Sequence, residues 1–435
     1  MKKMKSRFLK DGLALVSGNV WAQAIAFAAY LLFARLYSPE DFGLYNIFYS
    51  YIEVLVIVST CKYELAIVLG RNDREAMTVG NLAMRLNTVF SLALLVAIVA
   101  LCVVNSLFHV GFLAAFSFQP TSFVVLVLVP IMVYFCGTSR VYTMLLNRLR
   151  QFRPIALSDV VGSTSGVLAK LLMGLPQLAA TLWHGVGLPL GTVLGRVAGN
   201  VNLRLRSRGL QLHTSVSRAE RREVARRFRN FPLFTMPKEL VNSLSYNLPF
   251  LWLALYFDKA EVGLFSLALT FTFRPVNILN SAFEKLLYVR VTEKVRNGES
   301  IKADLHRFVK YLNIVALPLF VVGFIFADGI FGLLFGGRWS GCGFYIRCLL
   351  PWVYVMLTST SLMFLSNVFA RQRTEFVFYI VLFILRVAAM LAGIVSSSFR
   401  LAIMLFAISG AAVSLALLVW QATLVSRYEK QELIF

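Results

Sequence analysis

The stretch LAIMLFAISGAAVSLALLVWQATLV occupies residues 401–425 and contains no charged side chain. At a rise of 1.5 Å per residue, an α-helix of this length measures about 37 Å, which exceeds the roughly 30 Å hydrocarbon core of a bilayer. In lipid, only a helix or a closed barrel satisfies its own backbone hydrogen bonds. The stretch therefore predicts a membrane-spanning helix.

Eleven further stretches of similar character fill most of the 435-residue chain. Hydrophobic residues make up 58% of the sequence and charged residues 15%, and the mean hydropathy is +0.73. Soluble domains carry about 25% charged residues, so this composition excludes a mainly water-exposed protein. We predict an all-α polytopic membrane protein with about 12 transmembrane helices. The predicted spans cover residues 12–36, 42–69, 77–104, 121–146, 155–175, 177–203, 231–257, 262–289, 311–335, 341–369, 376–396 and 401–425.

Positive charge is concentrated in the loops on one side of the predicted spans. With the N terminus placed in the cytoplasm, the cytoplasmic segments hold 29 Lys and Arg residues and the opposite side holds 4. This asymmetry follows the positive-inside rule, so we expect both termini in the cytoplasm. It also accounts for the net charge of +22 without a nucleic-acid partner.

The sequence contains no pattern typical of a catalytic or metal site. Five Cys and four His are scattered along the chain without a CxxC motif, so we predict no metal site and no disulfide framework. The loops opposite the cytoplasm are too short to form a catalytic domain. We assign no catalytic residue and do not expect an enzyme.

A short internal repeat divides the chain into halves. The pentads Asp41–Tyr45 (DFGLY) and Glu261–Phe265 (EVGLF) lie 220 residues apart, each in an outer loop before an even-numbered span. Equivalent positions share one side of the membrane, so the repeat is parallel, about an axis along the membrane normal. We predict two six-helix lobes, residues 1–203 and 231–435, around a central cavity, with a basic cytoplasmic linker at residues 204–230.

Charged side chains inside the predicted spans indicate where a site lies, because they are costly in lipid unless they face a cavity or a partner. Snorkelling to the headgroups explains those near the span ends, namely Lys62, Glu64, Arg140, Asp159, Arg196, Glu284 and Lys285. The charges that lie deeper are Glu53, Arg85, Lys170, Lys238, Arg274, Arg347 and Arg386. Two interpretations of the deep charges are open: they line a hydrated cavity, or they form structural ion pairs between helices.

Glu53 and Arg274 occupy nearly equivalent positions of the repeat. Counted from the outer loops, they lie about 18 Å and about 20 Å deep. We predict that they face each other across the lobe interface and pair in at least one state. In the first span, Asn19 and Gln23 share one helical face, which we expect to point inward.

The seventh span is interrupted by helix breakers and polar residues. Pro232, Pro237 and Pro249 occur in it, with Asn242 and Asn247 between the last two. Such spans mark bending or substrate-facing helices in transporters. Ordinary hydrogen bonding between helices is the alternative.

The surplus of positive charge in the spans favours an anionic substrate over the organic cations that drug pumps carry. Phosphate or pyrophosphate on a lipid is the class of anion that most plainly requires transport through a membrane.

Segments spread along the chain resemble a known family. They are Ala34–Tyr45, Tyr63–Val68, Asn242–Pro249, Val262–Phe265, Arg274-Pro275, Phe335–Trp339 and Leu350–Trp352. They occur in the order found in the oligosaccharide–lipid flippases of the O-antigen and capsule type, whose superfamily also holds the multidrug/toxin extruders. Gly337 departs from the pattern, which has an acid there, and the Gly-rich fifth and sixth spans match poorly.

The resemblance implies a multi-pass protein of the bacterial inner membrane. Such flippases move undecaprenyl-pyrophosphate-linked oligosaccharide from the inner to the outer leaflet by alternating access. No bound cofactor is implied, and a proton or sodium gradient drives some members. The expected partners are the lipid-linked substrate, membrane lipids, and a polysaccharide polymerase or chain-length regulator. The alternatives are a multidrug/toxin-extrusion exporter and a membrane-embedded glycan polymerase or ligase.

The depth of the charges, the repeat and the helical spacing, taken together with the flippase interpretation, assign roles to particular side chains. Glu53 and Arg274 form the expected coupling or gating pair, in which Glu53 takes up a proton as its partner leaves. The cations expected to bind the pyrophosphate are Arg274, Lys238, Arg85 and Arg386, with Arg35 receiving it at the outer end. The polar residues expected to face the cavity are Asn19, Gln23, Asn242 and Asn247.

Overall fold

The computed structural model describes residues 29–108, 122–175, 185–207, 216–339, 341–369 and 371–430. These residues are almost entirely helical, and none of them lies in a β-strand. The chain divides into two compact units, Met1–Ser243 and Leu244–Phe435. Asn19 and Gln23 lie outside the described residues.

The described helices of the first unit are α1 (residues 29–36), α2 (Pro39–Ser59), α3 (Asp73–Phe108), α4 (Ser122–Arg148), α5 (Phe152–Met173), α6 (Gly187–Arg206) and α7 (Arg218–Arg227). α8 (Met236–Leu248) contains the division between the units. The second unit continues with α9 (Lys259–Arg296), α10 (Lys302–Ile325), α11 (Ala327–Phe335), α12 (Cys342–Ser361), α13 (Gln372–Val395) and α14 (Phe399–Glu429).

Within the described residues, nine helical segments are long and apolar enough to cross a membrane. They correspond to the predicted second to fifth and eighth to twelfth spans, which confirms a polytopic all-α membrane protein. α6 represents the sixth span from Gly187 onwards, and α1 is the described end of the first.

The predicted second span is not one continuous helix. α2 ends at Ser59, and a 3₁₀ helix, Tyr63–Leu69, follows it. Between them, Cys61 and Lys62 have φ angles of 49° and 59°. This left-handed conformation is unfavourable for residues with a Cβ and cannot continue a right-handed helix. The prediction of a single span over residues 42–69 was therefore wrong at the end near Leu69.

The seventh span is interrupted, as its prolines predicted. Two π-helical turns, Phe231–Thr235 and Pro249–Leu253, flank α8. Pro232 and Pro249 lie in these turns. Proline lacks the backbone N–H that a regular helix requires, so the helical hydrogen-bond pattern changes at these points.

The division between the units differs from the predicted linker at residues 204–230. α7 lies in this linker and packs on the first unit, where Val224 is buried in an apolar cluster. The Tyr63 hydroxyl donates to the Ala225 carbonyl over 3.2 Å, and Arg74 pairs with Glu220 at 2.8 Å. Hydrogen bonds from the Ser217 backbone, the Ser217 hydroxyl and Arg74 hold the pKa of Glu220 below its ordinary value. Residues 216–230 of the predicted linker are therefore part of the first unit.

The positions of the helices confirm the internal repeat. α2 and α9 begin 220 residues apart, and so do α5 and α13. The N-caps of the first pair, Ser38 and Asp258, are also equivalent. Each side chain accepts a hydrogen bond from a backbone N–H of the first helical turn, which satisfies a group that the helix leaves free.

Glycines explain the composition of the fifth and sixth spans. α5 and α6 pack together through Gly162 and Gly166 on one side and Gly191, Gly195 and Gly199 on the other. A Cβ atom on Gly195 would lie 2.6 Å from the Gly162 carbonyl oxygen and 2.7 Å from the Gly166 Cα. Small residues spaced by four let two membrane helices approach closely and gain dispersion energy. This contact sets the position of the polar residues on α5 and α6.

Candidate functional site

A cavity of about 240 Å³ lies inside the first unit, between α2, α4, α5 and α6. Each helix contributes at least one polar side chain to its wall. The ionisable residues that line it are Tyr49, Glu53, Cys136, Arg140, Asp159 and Arg196.

Helical spacing explains how each side chain reaches the cavity. Tyr49 and Glu53 are four residues apart on α2, as are Cys136 and Arg140 on α4, so each pair shares a face. The glycine packing of α5 against α6 brings Asp159 and Arg196 to the same cavity.

Two carboxylates and two guanidinium groups balance the charge of this cavity. Arg196 is close enough to interact electrostatically with Glu53 and Asp159. The Nη1 atom of Arg140 is buried without a hydrogen-bond partner in the described part of the chain. A buried donor without a partner costs free energy, so this group favours water or a polar ligand in the cavity. The arrangement suits proton exchange or the binding of a polar group, and it lacks a nucleophile held by a base.

The sequence interpretation of several of these residues was incomplete. Snorkelling accounted for Arg140, Asp159 and Arg196, yet all three line the cavity of the first unit. A sequence feature that could have identified Arg196 is its position directly after Gly195. Gly195 is the middle residue of the series Gly191, Gly195 and Gly199, which is spaced by four. Glu53 lines a cavity, as expected. Its pairing with Arg274, a residue of the second unit, stays a prediction.

Arg386 of the second unit is fully buried. Its Nη1 donates to the Ser245 hydroxyl over 2.9 Å. Its guanidinium carbon lies 4.7 Å from the ring centre of Tyr246, 4.9 Å from that of Trp352 and 4.4 Å from that of Phe406. Its Nε and Nη2 have no hydrogen-bond partner among the described residues. Arg386 therefore differs from the predicted cavity-lining position, because these side chains enclose it completely in this conformation.

Arg85 also differs from its predicted place. It is exposed on the face of α3 that carries Val89, Leu92 and Val96, which are 66%, 56% and 67% exposed. An exposed apolar face on a membrane helix is typical of lipid contact. Arg85 does not line the cavity of the first unit, and its role in binding the substrate stays a prediction.

The other predicted residues take varied positions. Arg35 and Lys238 are exposed on α1 and α8, and Arg274 is half-buried on α9. Asn242 and Asn247 are half-buried on α8. Their roles in binding stay predictions.

Three of the cationic side chains that the sequence places within the spans contact other side chains of the protein. Arg347 forms an ion pair with Asp328 at 2.6 Å. Lys170 lies over the ring of Tyr45, with its Nζ 5.0 Å from the ring centre. Lys62 is buried and pairs with Glu239 at 3.6 Å. These contacts favour the structural interpretation for Arg347 and Lys62. In the described part of the chain, no group of three or more His, Cys, Asp and Glu side chains is placed to hold a metal ion.

Comparison with known proteins gives both sequence and structural matches. The family model described as "Polysaccharide biosynthesis protein" matches residues 32–343. No curated protein matches the chain in sequence.

Several solved structures are similar over nearly the full chain. The lipid II flippase MurJ, in an inward closed conformation, has a TM-score of 0.71 at 11% identity, covering 96% of this chain and 90% of that one. An inward-facing multidrug resistance MATE family transporter of the MOP superfamily has a TM-score of 0.67 at 15% identity, covering 94% and 96%. A MOP superfamily transporter from Pyrococcus furiosus has a TM-score of 0.52 at 13% identity, covering 97% and 96%. At these identities the likeness establishes the fold.

Proposed function

The chain belongs to the polysaccharide biosynthesis protein family and has the fold of the MOP-superfamily transporters, and from this premise we propose that it is a flippase for undecaprenyl-pyrophosphate-linked oligosaccharides. The proposed substrate is an O-antigen or exopolysaccharide repeat unit, moved from the inner to the outer leaflet by alternating access. The proposed location is the bacterial inner membrane, with both termini in the cytoplasm. A polysaccharide polymerase or chain-length regulator is the proposed protein partner.

The observation that carries the substrate class is Arg386. It is enclosed in the second unit, and no carboxylate of the described residues forms an ion pair with it. Burying an arginine in a membrane protein is costly, and cations kept there commonly serve a substrate pathway. A doubly charged pyrophosphate provides the counter-charge that is missing. The likeness to a protein named as a lipid II flippase supports a lipid-linked cargo.

A multidrug exporter is the second candidate, because a multidrug resistance transporter is among the similar structures. The two candidates differ in the charge of the cargo, since an exporter of organic cations requires carboxylates along the path. The test uses purified protein reconstituted in liposomes. Transport of an organic cation without transport of lipid-linked oligosaccharide would favour the exporter.

We expect Arg274→Ala to abolish transport while the protein remains inserted in the membrane. Arg274 is the half-buried mid-span cation next to Pro275 on α9, and its loss removes a charge proposed to attract the pyrophosphate. In cells without the gene, lipid-linked oligosaccharide should accumulate on the inner leaflet, and wild-type protein should restore its export. The leaflet is measured by enzymatic access to the glycan in oriented membrane vesicles. Arg373→Ala, at an exposed cytoplasmic position, is the control, and normal export by Arg274→Ala would contradict the assignment.

A proton or sodium gradient is the proposed energy source, with Glu53 as the exchanging carboxylate and Arg274 as its partner in one state. We expect Glu53→Cys and Arg274→Cys, combined in a chain whose five native cysteines are replaced, to form a disulfide in at least one transport state. The product is measured as a reducible change in electrophoretic mobility, with each single variant as a control. If no state yields the cross-link, Glu53 does not meet Arg274. Of Arg274 and Arg196, only Arg196 would then interact with Glu53.

A further inference from the structure

α7 presents a row of arginines on the face that points away from the first unit. Arg218, Arg222 and Arg226 are spaced by four residues and share this face, and Arg229 continues it just beyond the helix end. All four side chains are exposed. None of them forms an ion pair or a side-chain hydrogen bond with the part of the chain that the structure describes. We call these four residues the arginine stripe.

The opposite face of α7 holds the helix in a fixed orientation. Val224 is buried against the first unit. Ion pairs of Glu220 with Arg74 and of Arg227 with Glu75 fasten both ends of the helix to α3. A capping box between Ser217 and Glu220 fixes its first turn. The stripe is therefore a rigid surface and not a flexible basic tail.

The predicted seventh span begins directly after the stripe, at Phe231. Leu233 and Phe234 are 59% and 69% exposed, although they belong to the start of the predicted seventh span. Such side chains are typical of lipid contact. Arg229 lies four residues before Leu233, which is about 6 Å along a helix. The headgroup layer is roughly 5–7 Å thick on each side of the hydrocarbon core, so the stripe begins at this layer.

Topology alone does not require this arrangement. The positive-inside rule counts Lys and Arg near the span ends, and it is indifferent to whether they align on one helical face. Glu223 is exposed beside the stripe but balances only one of the four charges. Unpaired arginines on one face, beside exposed apolar residues, are typical of a helix that lies at a membrane surface.

We propose that the arginine stripe binds the headgroups of anionic phospholipids in the membrane leaflet next to α7, which charge asymmetry assigns to the cytoplasm. The planar guanidinium group donates paired hydrogen bonds to phosphate oxygens. Each arginine at an anionic surface contributes about fivefold to lipid association. This binding goes beyond the proposed function, because these phospholipids are not its cargo.

The test measures phospholipid binding to the purified full-length chain. Native mass spectrometry gives the apparent Kd for phosphatidylglycerol and for phosphatidylcholine. We expect the triple variant Arg218→Gln, Arg222→Gln, Arg226→Gln to bind phosphatidylglycerol at least tenfold more weakly, with no change for phosphatidylcholine. The corresponding three Arg→Lys substitutions should recover most of the affinity, because they keep the charge. Recovery by lysine also separates loss of charge from loss of folding.

The matched control removes three exposed arginines from other segments of the same membrane side, with Arg371→Gln, Arg373→Gln and Arg427→Gln. It should lose much less affinity for phosphatidylglycerol than the stripe variant, because its three arginines do not share one helical face. An equal loss of phosphatidylglycerol affinity in both triple variants would mean that total charge alone attracts the lipid. No loss of affinity in either variant would mean that the stripe is only solvated. Both results overturn the proposal. Weaker binding of undecaprenyl pyrophosphate with unchanged phosphatidylglycerol binding would make the stripe a cargo site and also overturn it. Because no transport is measured, the outcome is independent of the proposed function.

Discussion

Replacing Gly195 with valine is expected to destabilise the first unit severely. A Cβ at this position would meet the Gly162 carbonyl oxygen at 2.6 Å and the Gly166 Cα at 2.7 Å. Both are backbone atoms of α5 and cannot rotate away, so the two helices must separate. Overpacking of a well-packed interior costs about 1–3 kcal/mol, and backbone contacts of this kind exceed that range. A cost above about 3 kcal/mol is a large fraction of a total stability of about 5–15 kcal/mol, so we expect a much lower unfolding temperature and a lower yield of folded protein.

The measurement is the yield of monodisperse detergent-solubilised protein, together with its unfolding temperature. Gly329→Val is the matched control, because a Cβ on Gly329 has nothing within 4 Å. Gly195→Ala should give an intermediate result. If Gly195→Val unfolds at the same temperature as the control, α5 and α6 do not pack as closely as the Gly195–Gly162 and Gly195–Gly166 distances indicate.

Replacing Arg386 with methionine is expected to reduce transport strongly without lowering the stability of the protein. Removing the charge also removes two buried nitrogen atoms that lack hydrogen-bond partners among the described residues. Apolar replacements of buried charges are often neutral or stabilising. A residue that served the fold alone would therefore be replaceable. We expect transport to fall at least about tenfold, because the guanidinium is proposed to meet the pyrophosphate in another conformation.

Arg386→Lys should give a partial loss, because lysine keeps the charge but not the planar group that stacks on Tyr246, Trp352 and Phe406. Arg373→Met, on the same helix and exposed, is the control for charge removal. Transport rate and unfolding temperature are measured on the same preparations. A less stable Arg386→Met protein that still transports at the normal rate would assign Arg386 to the fold only.

The reach of sequence reasoning differs between the fold and the site. The run at residues 401–425 predicted α14, which the structure extends to Phe399–Glu429. The 220-residue repeat likewise followed from two pentads and agrees with the helix starts. The left-handed pair Cys61 and Lys62 escaped prediction, because neither is a glycine or follows a proline.

The same contrast holds for the charged residues. Depth along a span could be counted, and it placed Arg85 and Arg386 in one class. The structure separates them, because Arg85 is on an exposed apolar face and Arg386 is enclosed by aromatic rings. The direction of a side chain around a helix axis has meaning only when the neighbouring helices are known.

The amino-acid pattern was sufficient to predict the all-helical membrane fold, the spans and the repeat. Hydropathy acts on each segment separately, because a long apolar run must form a helix in lipid wherever its neighbours lie. The assembly of the helices determined which charges meet. Glu53 and Arg196 are 143 positions apart in the sequence, yet they line one cavity because glycines let α5 and α6 pack closely. Such contacts depend on the shape of both surfaces at once, and no single segment of the sequence contains that information.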